Sequence, residues 1–155
     1  MKYLLVTLFL WMPFLVQSQD HLSGPTTESQ IRTHKIFDLY AKRYKPDEKV
    51  VAAFNAITDQ IQINVFMGTW CHDSKREIPA MFALMNAIDN ANISTSYTAI
   101  EYRRSGPKDI IEKNNIKRTP TFVILKNGKE IGRIIEESEK NLESHLLKII
   151  ESKKD

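Results

Sequence analysis

A single cysteine occurs in the chain, Cys71, within the run Trp70-Cys71-His72-Asp73-Ser74-Lys75. A thiolate is a far better nucleophile than a thiol, so the neighbours that favour ionisation decide what such a residue can do. Behind it, Ile78, Met81, Phe82, Met85 and Ile88 recur with a helical period, and ahead of it Ile61, Ile63, Val65 and Met67 alternate as in a strand. Cys71 is therefore expected where a strand ends and a helix begins. Unpaired N–H groups and the positive end of the helix dipole favour a thiolate at that place. His72 adds a positive charge or a donor, whereas Asp73 opposes ionisation unless it points to solvent. Ser74 has two readings: its hydroxyl donates to the thiolate, or with Glu77 it forms a capping box and merely starts the helix. Trp70 shields one side of the sulfur, serves as a core aromatic, or both. The plain alternative for Cys71 itself is a small buried residue that packs and does nothing. The other histidines, at 21, 34 and 145, fall in unrelated segments. With no second thiol, neither a metal site nor a cofactor is expected.

The elements that must hold this turn can be read on both sides of it. Thr27 with Gln30 fits a capping box, and Ile31, Ile36, Leu39, Tyr40 and Tyr44 hold roughly one helical face. Pro46-Asp47-Glu48 opens a second helix with Val50, Val51, Phe54 and Ile57 as its apolar stripe. The helix from Ser74 to Asp89 contains Pro79, which is expected to kink it. A second strand is expected near Ile93 to Tyr102, then a break at Gly106-Pro107 and a short helix over Lys108 to Asn114. Thr121 to Leu125 is an apolar third strand. Asn127-Gly128 predicts a type I′ turn, so Glu130 to Ile135 returns antiparallel. Leu142, Leu146, Ile149 and Ile150 make the stripe of a closing helix. This order implies an α/β fold with a central mixed sheet flanked by helices, preceded by extra N-terminal helices.

Lys2 followed by the apolar run Tyr3 to Val16 has the charge and length of a secretory signal, with cleavage after Ser18. The run falls short of the roughly 20 residues of a membrane span, and Pro13 interrupts it. Residues 1–18 are thus expected as a signal peptide, 19–28 as a flexible leader and 29–153 as one domain. The composition, 42% hydrophobic and 26% charged over 155 residues, suits that size. The formal charge of +3 drops by one when Lys2 is removed, and the basic pairs Arg103-Arg104 and Lys153-Lys154 are too short for a nucleic-acid stripe. An exported protein, periplasmic or extracellular, with no stable membrane span after cleavage and no nucleic-acid partner is expected. In such an oxidising compartment a lone cysteine is free, capped or paired between molecules. Asn92-Ile93-Ser94 matches a glycosylation acceptor, which has meaning only in a eukaryotic secretory path.

The stretch Phe66 to Lys75 resembles the thioredoxin active-site turn, in which Trp-Cys-x-x-Cys joins a strand to a helix. Pro79, eight residues after the cysteine, resembles the family's helix proline; Thr119-Pro120-Thr121-Phe122 resembles its cis-proline segment, and Lys126-Asn127-Gly128-Lys129 the hairpin that follows. The likeness runs from Gln60 to Ile150 and implies a thioredoxin fold. Two departures shape the chemistry it implies. Ser74 stands where dithiol members have a resolving cysteine, which makes the site similar to the monothiol Cys-x-x-Ser subset of exported bacterial thioredoxin-like proteins. Val65 stands where many members bury an aspartate. A cis Pro120 would leave the Thr119 backbone free to pair with an extended substrate; the alternative is a rigid turn before a strand. The resemblance implies thiol–disulfide exchange through Cys71, isomerase-like or monothiol reductase-like. Disulfide- or thiol-bearing proteins are the implied substrates, and a small thiol or a partner reductase completes the cycle. Two other readings stay open: a client-binding module of the same fold with little or no turnover, and a homodimer linked through Cys71.

Overall fold

The computed structural model describes residues 21–152. The expected signal peptide, 1–18, lies outside them.

The elements run β1 (Gly24–Thr26), α1 (Glu28–Arg32), α2 (Lys35–Arg43), α3 (Glu48–Asn55), β2 (Ile61–Met67), α4 (His72–Ala87), β3 (Ile93–Ala99), α5 (Lys108–Lys113), β4 (Thr121–Lys126), β5 (Lys129–Ile135) and α6 (Leu142–Glu151), with a tight turn at Tyr102–Arg104. The strands form one mixed sheet in the order β1-β3-β2-β4-β5. Only β2 and β3 pair in parallel, as their connection through α4 requires. The central strand β2 alternates as read. Ile61, Ile63, Val65 and Met67 enter a large core with Phe37 of α2, Phe54 of α3, Ile78, Met81 and Phe82 of α4, and Leu146 of α6. Phe66 points the other way, into a smaller cluster with Ile100, Ile116 and Val123 that α5 covers through Ile110 and Ile111. Helices therefore cover both faces: α1, through Ile31, joins α2, α3, α4 and α6 on one side, and α5 lies on the other.

Local signals explain most boundaries. Thr27 and Gln30 form the full capping box at α1, and the Asp47 carboxylate caps α3 by accepting from the Lys49 N–H. Asn127 and Gly128 both have positive φ, 51° and 80°, as a type I′ hairpin needs. Helix α4 runs unbroken through Pro79, whose ring is buried.

Two expectations need correction. The stretch 19–28, read as a flexible leader, contains β1, which pairs antiparallel with β3 from Gly24↔Ala99 to Thr26↔Tyr97. Gly24 takes φ 79°, a conformation that a residue with a Cβ rarely adopts. The ordered domain thus begins before residue 29. The single helix face Ile31 to Tyr44 divides at Thr33-His34 into α1 and α2, and α2 buries Phe37 and Ala41 while Leu39 and Tyr40 stay exposed. The division rotates the buried stripe away from the one the unbroken period indicates. Just before β3, the Asn92 side chain donates to the Ile57 and Thr58 carbonyls and accepts from the Gln60 amide.

Candidate functional site

The ends of four strands lie in one row across the sheet: Ala99 of β3 beside Met67 of β2, Thr121 of β4 beside Phe66, and Ile135 of β5 beside Thr121. The segments that leave these ends are Ile100 to Arg104, Gly68 to Cys71, Thr119-Pro120 and Glu136-Glu137. Residues distant in sequence therefore meet along a single edge, and Cys71 lies in the middle of it.

Cys71 is the N-cap residue of α4, with extended backbone and a carbonyl that accepts the first helical bond from Lys75. Its side chain is 7% exposed. The thiol donates to the Thr119 carbonyl oxygen at 3.1 Å, which joins the cysteine turn to the proline segment directly. The Thr119–Pro120 peptide bond is cis. Thr119 lies outside the β4–β5 ladder and its N–H makes no hydrogen bond among the described residues. Thr119 is only 6% exposed, so one half of its backbone is an unpaired donor while the other half holds the thiol. The Pro120 carbonyl is already taken, by the Glu136 N–H at 2.8 Å.

Ser74 has a different place from either role read for it. The helix starts at His72 and its N-cap is Cys71, so Ser74 lies one turn inside; Glu77 turns to Arg76 and Ser138 instead of closing a capping box. The fully buried Ser74 hydroxyl accepts from the Gly68 N–H at 3.2 Å and has no hydrogen bond to the sulfur. It braces the strand-to-helix turn from beneath, satisfying a buried donor that the turn would otherwise strand. His72 is exposed and has no hydrogen-bond or ionic partner among the described residues. Asp73 lies 3.6 Å from the Arg76 guanidinium, so its charge is shared with a cation rather than directed at the thiol alone.

Trp70 is fixed on three sides. Its indole N–H donates to the Ile100 carbonyl at 2.8 Å, and Tyr102 meets the ring edge-on with centroids 5.1 Å apart. A Cβ on Gly68 would stand 2.7 Å from the indole ring, so the third side requires glycine. Val65, at the position where the resemblance places an acid in many relatives, is 1% exposed among apolar side chains of the large core.

Several participants escaped the sequence reading. Thr69 and His21 are joined by a hydrogen bond of 3.0 Å, and Ser23 donates to Glu101 at 2.7 Å, so the segment before β1 is tied to the site's edge. His34, 8% exposed, titrates below its ordinary value because burial, then His21, then Lys75 disfavour its charged form. Glu136 has φ 64° and pairs with Arg118 at 2.7 Å beside the proline segment. No local pattern marks these residues, since their roles come from the row of strand ends. Among the described residues no group of three or more His, Cys, Asp or Glu side chains is placed to hold a metal ion. No described helix is long and apolar enough to cross a membrane.

Comparison with known proteins agrees with this architecture. A family model for thioredoxin matches residues 24–146. Thioredoxin H2 of Arabidopsis thaliana is 28% identical over 98 residues, which cover 62% of this chain and 69% of that protein. Among solved structures, a protein of unknown function from Pseudomonas aeruginosa aligns with a TM-score of 0.66 at 13% identity, over 83% of this chain and 93% of that one. An HIV epitope-scaffold aligns with a TM-score of 0.64 at 12% identity and the same coverage. These two share the fold and, at such identity, nothing more. The family model begins at the first residue of β1 and reaches into α6, and on that span the chain belongs to the thioredoxin family.

Proposed function

We propose that this protein is an exported, monothiol thioredoxin-like protein that exchanges thiols and disulfides through Cys71. The observation that carries the reading is the contact of the Cys71 thiol, at the first turn of a sixteen-residue helix, with the Thr119 carbonyl beside a cis proline. The nucleophile thus bonds the carbonyl of the same residue whose backbone N–H is unpaired among the described residues.

The exchange has two steps. The Cys71 thiolate attacks one sulfur of a substrate disulfide, an S–S bond forms between enzyme and substrate, and the other substrate sulfur leaves as a thiolate. Ser74 has no sulfur to reverse this, and its hydroxyl is committed to Gly68. Release requires a second thiolate to attack the substrate sulfur of the mixed disulfide and expel Cys71. If that thiolate belongs to the substrate, the substrate's disulfides are rearranged with no net electron transfer. If it belongs to a small external thiol, that thiol becomes disulfide-bonded to the substrate sulfur as Cys71 leaves, and a second such thiolate attacks the small thiol's sulfur, giving the oxidised small disulfide and the fully reduced substrate. Cys71 cannot store a disulfide within its own chain, so oxidation by this protein alone is not part of the proposal. Secretion through cleavage of residues 1–18, and a periplasmic or extracellular site of action, complete the reading.

A second reading has an observation in its favour. The sulfur is 7% exposed and its S–H is engaged by the Thr119 carbonyl rather than presented to solvent, which suits a module that holds client peptides without turning them over. Cys71→Ser separates the two. Refolding of a protein with scrambled disulfides should lose all acceleration in this variant; equal acceleration by the variant and the natural protein would leave the binding module.

A further inference from the structure

The two flanks of the Cys71 edge differ in chemistry. On the β3 side, Tyr102 is 57% exposed, stands edge-on against Trp70 and carries the Arg103 guanidinium over its ring at 5.4 Å. An exposed aromatic ring capped by a cation is a contact platform, because it offers area and charge at low side-chain entropy cost. Arg104, next in the chain, donates to the Ile116 carbonyl, which brings the exposed Lys117 to the same flank. The flank's carboxylate, Glu101, accepts from the Ser105 and Ser23 hydroxyls, which hold it below its usual range, so it remains an anion. Arg103, Arg104 and Lys117 outnumber it, and positive charge dominates this flank.

On the β5 side the balance reverses. Glu136 and Glu137 follow directly on the strand, and Asp73 and Glu77 lie on the adjoining first turns of α4. Arg76 is shared among Asp73, Glu77 and Glu137, and Arg118 is matched by Glu136. Lys140 is the remaining cation along this loop. Glu137 is 68% exposed in its side chain, so its carboxylate is reachable from solvent despite Arg76. Between the two flanks lie the Cys71 sulfur and the unpaired Thr119 N–H.

We infer that this edge is a polarised cradle for an extended polypeptide whose charges are opposite on the two sides of its reactive cysteine: acidic over Tyr102–Arg104, basic over Glu136–Glu137. The inference rests on the exchange reading of Cys71 for the cysteine, and on charge complementarity for the flanks. Segments carrying the same charge on both sides meet repulsion at one end whichever way they run, whereas a segment of opposite charges has one direction that satisfies both ends.

Four nine-residue peptides test this, with Glu or Lys placed on either side of a central cysteine to give both opposite-charge orders and both same-charge forms. Binding of versions with the cysteine replaced by alanine is read by fluorescence anisotropy, and mixed-disulfide formation by the cysteine versions is read by mass. One opposite-charge peptide should bind about three- to tenfold more tightly than either same-charge peptide. The advantage should shrink in 0.5 M salt and in the surface variants Arg103→Gln and Glu137→Gln. A same-charge peptide that binds as well as the better opposite-charge one, or absence of binding by all four, overturns the inference. Charge preference without any mixed disulfide upholds the cradle and sinks the exchange reading instead.

Discussion

The turn that carries Cys71 and the junction of Tyr44 with Glu143 both bury polar atoms, and they do so in opposite ways. Glu143, 1% exposed, accepts from the Tyr44 hydroxyl at 2.6 Å and from the Asp47 N–H at 3.3 Å, which ties the end of α2, the start of α3 and the start of α6 together. Burial first, then the Glu143 bond, hold the Tyr44 phenol protonated well above its ordinary range. At Cys71 the buried polar group makes a single hydrogen bond through sulfur, a weak donor, and the neighbouring Thr119 N–H is left open. A group held by strong charge-assisted bonds is scaffold. A nucleophile held by one weak bond can leave it for a substrate at small cost, and the same contact keeps it at the peptide backbone until then.

The comparison can be broken at either place. Glu143→Ala leaves the Tyr44 hydroxyl and the Asp47 N–H without their buried acceptor, so it should cost about 2–3 kcal/mol in denaturant unfolding while mixed-disulfide formation at Cys71 keeps its rate. A large loss of rate at unchanged stability would mean that the junction is not scaffold. Ser74→Ala removes the acceptor of the Gly68 N–H and should destabilise by about 1–2 kcal/mol with the exchange rate preserved. Slower exchange with intact stability would restore the thiolate-stabilising role of Ser74. The smallest effect is a pH dependence at His34. Its folded-state value lies below its ordinary 6.5, so its contribution to stability is present above that pH and is lost as pH falls through the folded value. Burial is the main cause, and the Coulombic effects of His21 and Lys75 add to it. Thermal melts from pH 7.5 to 5 should show this decline, and His34→Asn should flatten it; identical slopes in the two proteins would remove His34 from the account.

What was readable in the sequence follows the same division. The site's chemistry is written locally, in a Trp-Cys-His-Asp-Ser run between an alternating strand and a periodic helix, and the hairpin at Asn127-Gly128 is equally local. Strand β1 was not legible because Gly24-Pro25-Thr26 has the composition of a breaker and is held by backbone pairing with β3, which no side-chain period records. The buried face of α2 departs from the one the period indicates because the break at Thr33-His34 resets the helical phase. Ser74 followed by Glu77 has the spacing of a capping box, but Cys71 begins the helix one turn earlier. The partners of Glu143 and of Trp70 lie far away in sequence and meet only after the sheet has set its order.

The central claim is that a sulfur only 7% exposed is nonetheless a working nucleophile. The most direct measurement treats the folded protein with a small aromatic disulfide and follows intact mass over time, then adds an external thiol. One adduct should form on Cys71 under native conditions, persist on its own for want of a second cysteine, and be released when the thiol is added. An adduct that forms only in denaturant would contradict the account and leave Cys71 a packing residue.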